Sequence, residues 1–331
     1  MFILGLKVIV LSIMTIHIPD ISKQVYKENL VNLLENQYSV MGPLWVTSQM
    51  EWMNGTYSCF KNHDKFLIVI YLINKTLDFY SKSFVKLNFD EFYHQDIVEI
   101  SKFNISEIAN ELNIPKESAR RKVNELRALG VIKKFKKKII IDRSRYYHSK
   151  PVDSIKRITR FLSILSEMSI DSKILPKKLS SGELEIIIKD NFSYIWKLYY
   201  ELQIPMMISY KKIFKDLETF HIFGTCVVNQ HLYVKKISKD NMKRDIFIES
   251  TYTAKMMQGL NAMSISDITG IPRATVIRKL RKLVKRKILI IDIKKHYRLT
   301  GNFVKKLKPM QKDILIKLSS FSSKIFNLAE F

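Results

Sequence analysis

A chain of 331 residues, 47% hydrophobic and 11% aromatic, is long enough for two or three domains and too apolar to be disordered. Its 56 Lys and Arg against 31 Asp and Glu leave a formal charge of +25, which points to a polyanionic partner. Nine glycines with no Gly-x-x-x-x-Gly-Lys pattern, seven scattered histidines and two distant cysteines, Cys59 and Cys226, speak against a nucleotide-binding enzyme, a metal centre and a disulfide.

Residues 1–18 are mostly apolar, but Lys7 interrupts them, and the uncharged run from Val8 to Met14 is far short of the roughly 20 residues a spanning helix needs. No small-residue cleavage pattern follows, so neither a membrane anchor nor a secretory signal is expected, and Met14 is an alternative start. Residues 21–36 have the spacing of an amphipathic helix, with Ile21, Val25, Leu30, Val31, Leu33 and Leu34 as its apolar positions. Residues 64–80 are apolar nearly all round and read as a buried core helix. Asn88 to Ser101 is expected to form a helix leading into the next segment.

From Asn104 the pattern becomes specific. Asn104 followed by Glu107 has the spacing of a reciprocal helix cap. The short helix ends in a turn closing on Ile114-Pro115, and proline suits the first position of the next helix, where its missing N–H is not needed. At about 100° per residue, Ala119, Val123 and Leu126 fall within about 60° of one another and face a core. Glu117, Arg120, Arg121 and Asn124 lie opposite. This helix runs into a hairpin-like segment, Val131 to Asp142, in which apolar strand residues flank Lys136, Lys137 and Lys138 at a turn. Residues 104–150 hold 13 basic and 5 acidic side chains, a net of +8.

A mixed region follows over 151–240. Residues 152–168 have helical spacing (Ile155, Ile158, Phe161, Leu162, Leu165), and Pro176 with Ser180-Ser181-Gly182 breaks the chain. An aromatic-rich stretch around Phe192, Tyr194, Ile195, Trp196, Leu198 and Tyr199 is expected to end at Pro205. Phe220 to Val234 then precedes the next motif much as 64–80 precedes the first, so the duplicated unit is expected to include these helices.

The first pattern returns 157 positions later, without a gap. Asn104/Asn261, Ile108/Ile265, Ile114/Ile271, Pro115/Pro272, Arg121/Arg278, Lys122/Lys279 and Leu126/Leu283 are identical pairs. Val276, Leu280 and Leu283 form the inner face of the second long helix, and Ala274, Ile277, Arg278 and Arg281 the outer one. Asn261 lacks an acid three positions on, and Ser264 with Asp267 offers a competing start. The hairpin-like segment is Ile288 to Thr300, with Lys294 and Lys295 at its turn. Residues 261–308 hold 14 basic and 2 acidic side chains, a net of +12. Most of the chain's charge therefore sits on the two copies, the footprint of a nucleic-acid partner. Over 309–331, Ile314, Leu315, Leu318, Phe321 and Ile325 have helical spacing, for packing against the body or, alternatively, for a homodimer interface.

Both copies resemble the winged helix-turn-helix domain of bacterial transcription regulators of the MarR and IclR types. In the second copy the resemblance rests on Ile271-Pro-Arg-Ala-Thr-Val-Ile-Arg-Lys-Leu and Tyr297-Arg-Leu-Thr-Gly. In the first it rests on Ile105-Ser-Glu-Ile-Ala, Leu112-Asn-Ile-Pro and Leu129-Gly-Val-Ile. Gly130 stands where the family usually ends the helix with glycine, whereas Lys287 occupies that place in the second copy. The resemblance is confined to these two blocks. It implies that Arg121 and Arg278 anchor phosphates at the groove edge. It makes Lys116, Glu117, Arg120 and Asn124, with Arg273, Ala274, Thr275 and Ile277, the candidates for base reading.

The expected fold is mainly α with small β-hairpin wings: two winged helix-turn-helix domains joined by helical segments. Its expected parts are an N-terminal helical region (1–87), a first winged domain (88–150), a helical linking region (151–240), a second winged domain (241–308) and a C-terminal helix (309–331). The expected function is sequence-specific binding of double-stranded DNA in transcription regulation. The expected setting is cytoplasmic, on a bacterial nucleoid, with no enzyme activity, cofactor or metal; the sequence names no small-molecule effector. A plasmid-type replication initiator with tandem winged domains and a protein-interaction scaffold are the alternatives.

Overall fold

The computed structural model describes residues 24–135, 138–238, 241–254 and 258–329; 71% of them are helical, with two small antiparallel sheets. The residues expected at the apolar N-terminus (1–18) and Ile21 lie outside the described residues. Of the amphipathic segment, α1 (Lys27–Asn36) buries Leu30, Leu33 and Leu34, and packs on α14 (Val304–Phe326), the helix read from the C-terminal stripe. Val25, just before α1, and Asn327, just after α14, are joined there, the Val25 N–H donating to Asn327 Oδ1 at 2.7 Å. The centre of the body is built from α2 (Tyr38–Phe60), α3 (His63–Lys82), α9 (Phe192–Phe214) and α10 (Leu217–Ile237). At Gly224 a Cβ would come 2.2 Å from Met50 Sδ, so α10 approaches α2 as closely as it does because that residue has no side chain. One connected cluster of buried apolar side chains runs from Val25 to Phe326.

Two expectations fail here. Asn88 to Ser101 is not one helix: a single turn, α4 (Phe89–Tyr93), gives way to strand β1 (Ile97–Ile100). Ile97, Val98 and Ile100 are β-branched, their burial follows a two-residue period, and β1 pairs antiparallel with β3 (Lys138–Asp142) from Ile97 opposite Asp142 to Ile100 opposite Ile139. Pro205 does not end its helix either. It lies inside α9, where the lost hydrogen bond and ring clash cost about 3 kcal/mol. Leu202, Ile204, Met206 and Met207 around it are buried, at roughly 1.5–3 kcal/mol each, and they outweigh that cost.

The connecting helices are α7 (Val152–Asp171), α8 (Ser181–Asp190) and α11 (Arg244–Thr253). A buried chain of side chains ties α2, α3 and α10 together. Asn54 Oδ1 can only accept, so His221 Nε2–H donates to it (2.7 Å) and His63 Nε2–H donates to His221 Nδ1 (3.2 Å); the Thr56 hydroxyl lies 2.8 Å from His63 Nδ1 and 3.0 Å from the Met53 carbonyl. Burial holds both imidazoles neutral, His221 with a pKa lowered to about 3 and His63 well below the ordinary value. Among the described residues, no helix is long and apolar enough to cross a membrane.

Candidate nucleic-acid interface

Each copy of the repeat builds a short helix, a left-handed turn, a long helix and an antiparallel hairpin. In the first copy these are α5 (Ile105–Glu111), α6 (Lys116–Ala128) and the hairpin of β2 (Ile132–Phe135) with β3. In the second they are α12 (Ala262–Thr269), α13 (Arg273–Lys285) and β4 (Leu289–Ile291) with β5 (Tyr297–Leu299). Both short helices start at the aligned asparagine. Asn104 Oδ1 accepts from the Glu107 N–H at 2.7 Å, and Asn261 Oδ1 from the Ser264 N–H at 2.9 Å, so Ser264 is not the start. In the first copy the Glu107 carboxylate also takes Lys75 Nζ and the Tyr71 hydroxyl on α3. Pro115 and Pro272 stand one place earlier than expected, as the caps of the long helices.

The inner faces are as spaced. Ala119, Val123 and Leu126, and Val276, Leu280 and Leu283, are fully buried. On the outside, Lys116, Glu117, Arg120, Arg121 and Asn124 of α6 are exposed, as are Arg273, Ala274, Arg278 and Arg281 of α13. Thr275 and Ile277 are half-buried. The outer face of α6 is partly self-compensated: Arg120 pairs with Glu117 at 2.5 Å, and Arg121 lies 3.8 Å from Glu125, which also takes Lys65 at 2.6 Å. The side chains of α13 include six cations and no acid.

The hairpins differ from each other. Lys136 and Lys137 lie outside the described residues. Lys138 is exposed and pairs with Glu99 of β1 at 2.5 Å, while Lys133 reaches Asp142 at 2.7 Å. Burial would raise the Asp142 carboxyl, but the bonds from Lys133 and Ser144 outweigh it and lower its pKa to about 2. In the second hairpin Lys294 and Lys295 are exposed beside Ile293, which is 98% exposed; the turn closes through the His296 N–H on Asp292 Oδ1 at 2.9 Å.

Sequence reasoning missed the brace beneath each long helix. Lys122 and Lys279, an identical pair in the repeat, are each 8% exposed and turn inward. Lys122 Nζ is 3.5 Å from Asp64 at the start of α3, a carboxylate that also holds Lys211 of α9 at 2.8 Å. Lys279 Nζ is 2.6 Å from Asp216, the cap of α10. Burial would raise the Asp216 carboxyl, yet bonds from Lys279 and Thr219 hold it below the usual range. The signal for these lysines was present: Lys122 is three residues from Ala119 and four from Leu126, on the edge of the apolar stripe. The last turn of α9 serves both copies, through Lys211 for the first and the Ile213 carbonyl, which accepts from Arg286 at 3.0 Å, for the second.

Among the described residues, no group of three His, Cys, Asp or Glu side chains is arranged to hold a metal ion. No protein-family model, curated protein or solved structure matches this chain.

Proposed function

We propose that the chain binds double-stranded DNA through two winged helix-turn-helix units, as a sequence-specific transcription regulator. The observation that carries this reading is the pair of braced helices, α6 and α13, whose apolar sides are buried and whose cationic sides are exposed. In this reading α6 and α13 enter the major groove, and the hairpin lysines, Lys138, Lys294 and Lys295, lie along the phosphate backbone. The outer faces differ in sequence, so a single chain gripping DNA with both would select an asymmetric, two-part site.

The test is binding to duplexes selected from a random pool, measured across a range of salt. Wild-type affinity should fall steeply as salt rises, because phosphate contacts release counterions. Replacing Arg121 and Arg278 together with Ala should weaken binding by about tenfold or more and flatten the salt dependence by about two ions. Arg278→Ala alone should cost more than Arg121→Ala, since only Arg121 has a carboxylate on its own helix to share its charge. Unchanged affinity in the double variant, or no duplex binding at low salt, would overturn the proposal.

A further inference from the structure

A cavity lies between α2, α10 and α14, closed on one side by Phe161 of α7. Its atom-free space, mouth included, is about 870 Å³, and the centre of a water molecule can travel through about 80 Å³ of it. That is several times the roughly 10–15 Å³ one water requires. Apolar groups such as Met41, Trp45 and Leu318 make up most of the wall, and among the described residues none that lines it is Asp, Glu, Lys or Arg.

Besides the tyrosines Tyr38, Tyr210 and Tyr252, two amides and an imidazole interrupt that wall. Gln49 is 5% exposed and His231 4% exposed, and Gln311 sits on α14. Gln49 Oε1, His231 Nδ1 and Gln311 Oε1 are all buried with no hydrogen-bond partner in the protein. Buried polar atoms in folded proteins are rarely left unpaired, and here the three side chains that carry them line one void. Burial keeps the His231 imidazole neutral, its pKa lowered to about 3, so the described residues lining the cavity offer a charged guest no counter-charge.

We propose that this cavity is a binding site for an uncharged, largely apolar small molecule carrying at least one O–H or N–H. The apolar wall takes the body of the molecule, and the two glutamine oxygens and the imidazole accept its proton donor. The site sits on the helix that supports the second copy of the repeat. Gln230, beside His231, accepts from the Leu299 N–H of β5 at 2.6 Å and donates to the Thr251 carbonyl of α11. An effect of the guest on DNA affinity would rest on the function proposed above; binding itself does not.

Calorimetric titration of the full chain with indole and 2-naphthol tests the site, with indene as the isostere lacking a donor and indole-3-carboxylate as the charged analogue. Saturable binding of indole or 2-naphthol is expected, with indene at least about tenfold weaker and the carboxylate silent. Gln49→Leu with His231→Phe should bring indole down to the level of indene while leaving indene unchanged. Met41→Trp should fill the space and abolish both, and if that variant does not fold, the polar double variant decides alone. No saturable binding of either donor, or binding unchanged in the polar double variant, would overturn the inference. No DNA enters this titration, so its failure leaves the DNA reading standing, and a failure to bind DNA leaves the cavity standing.

Discussion

At the two places where the repeat needs a left-handed backbone, its copies make opposite choices of residue. The first copy has Asn113 (φ 49°) after its short helix and Gly130 (φ 73°) after its long one. The second has Gly270 (φ 67°) and Lys287 (φ 54°) at the same two positions. The hydrogen bonds around the later turn are nonetheless the same: Val131 N–H to the Leu126 carbonyl at 2.9 Å, and Ile288 N–H to the Leu283 carbonyl at 3.0 Å. Packing, not the residue at the turn, sets this backbone. Lys287 is held in a conformation it resists because Leu283 and Ile288 on either side are buried.

A second contrast concerns the supports. The first copy adds β1 to its hairpin, giving a sheet in the order β1-β3-β2, and shares one carboxylate between two lysines. In the second, an isolated bridge between Leu260 and Tyr297 takes the place of the third strand, and one lysine meets one carboxylate.

The largest effect expected is that of acid, which removes a support the two copies share. His63, His221 and His231 are buried and neutral in the folded chain, whereas the unfolded chain takes up protons on them below about pH 6.5. Stability should therefore fall as pH drops from about 6.5 toward 3, by several kcal/mol on the order of the pKa displacement. Carboxylates with lowered pKa, such as Glu107, Glu125 and Asp216, add their loss only below about pH 4.5. Because His63 belongs to α3 and His221 to α10, both copies should unfold in one transition. Fluorescent probes placed in each hairpin would check this, and two separated acid transitions would contradict it.

Next in size is the brace. Lys279→Met strands the Asp216 carboxylate and should cost about 2 kcal/mol, the solvent at Asp216 moderating the full penalty of a broken buried pair. Lys122→Met should cost less than about 1 kcal/mol, because Lys211 still serves Asp64. Denaturant midpoints of the two variants measure the difference, and equal losses would mean that the shared carboxylate confers no insurance.

The smallest effect is expected at the left-handed turns. Lys287→Gly should stabilise by up to about 1 kcal/mol, relieving the left-handed lysine. Gly130→Lys should destabilise by a similar amount, through conformation alone, since a Cβ there meets nothing nearer than 3.7 Å. Thermal midpoints of the pair suffice to show it.

The parts of this molecule that were legible in the sequence are those set by local periodicity. Ala119, Val123 and Leu126 announce a buried stripe because helix geometry alone brings them together. The same rule misplaced Asn88–Ser101, where four residues of two-residue period win by pairing with a strand forty positions on. It misread Pro205, whose penalty is local while the burial that overrides it comes from other helices. Lys122 and Lys279 were visible as an identical pair, but their inward turn depends on Asp64 and Asp216, distant in sequence. The cavity was illegible for the same reason, its polar atoms coming from positions 49, 231 and 311.

Lys211 and Ile213 sit within one turn of α9 and serve as footings for the two cationic helices. The gauge between those helices is consequently a dimension of the folded body, as the distance between two pins is a dimension of a plug. Rotating that single turn would carry both pins at once.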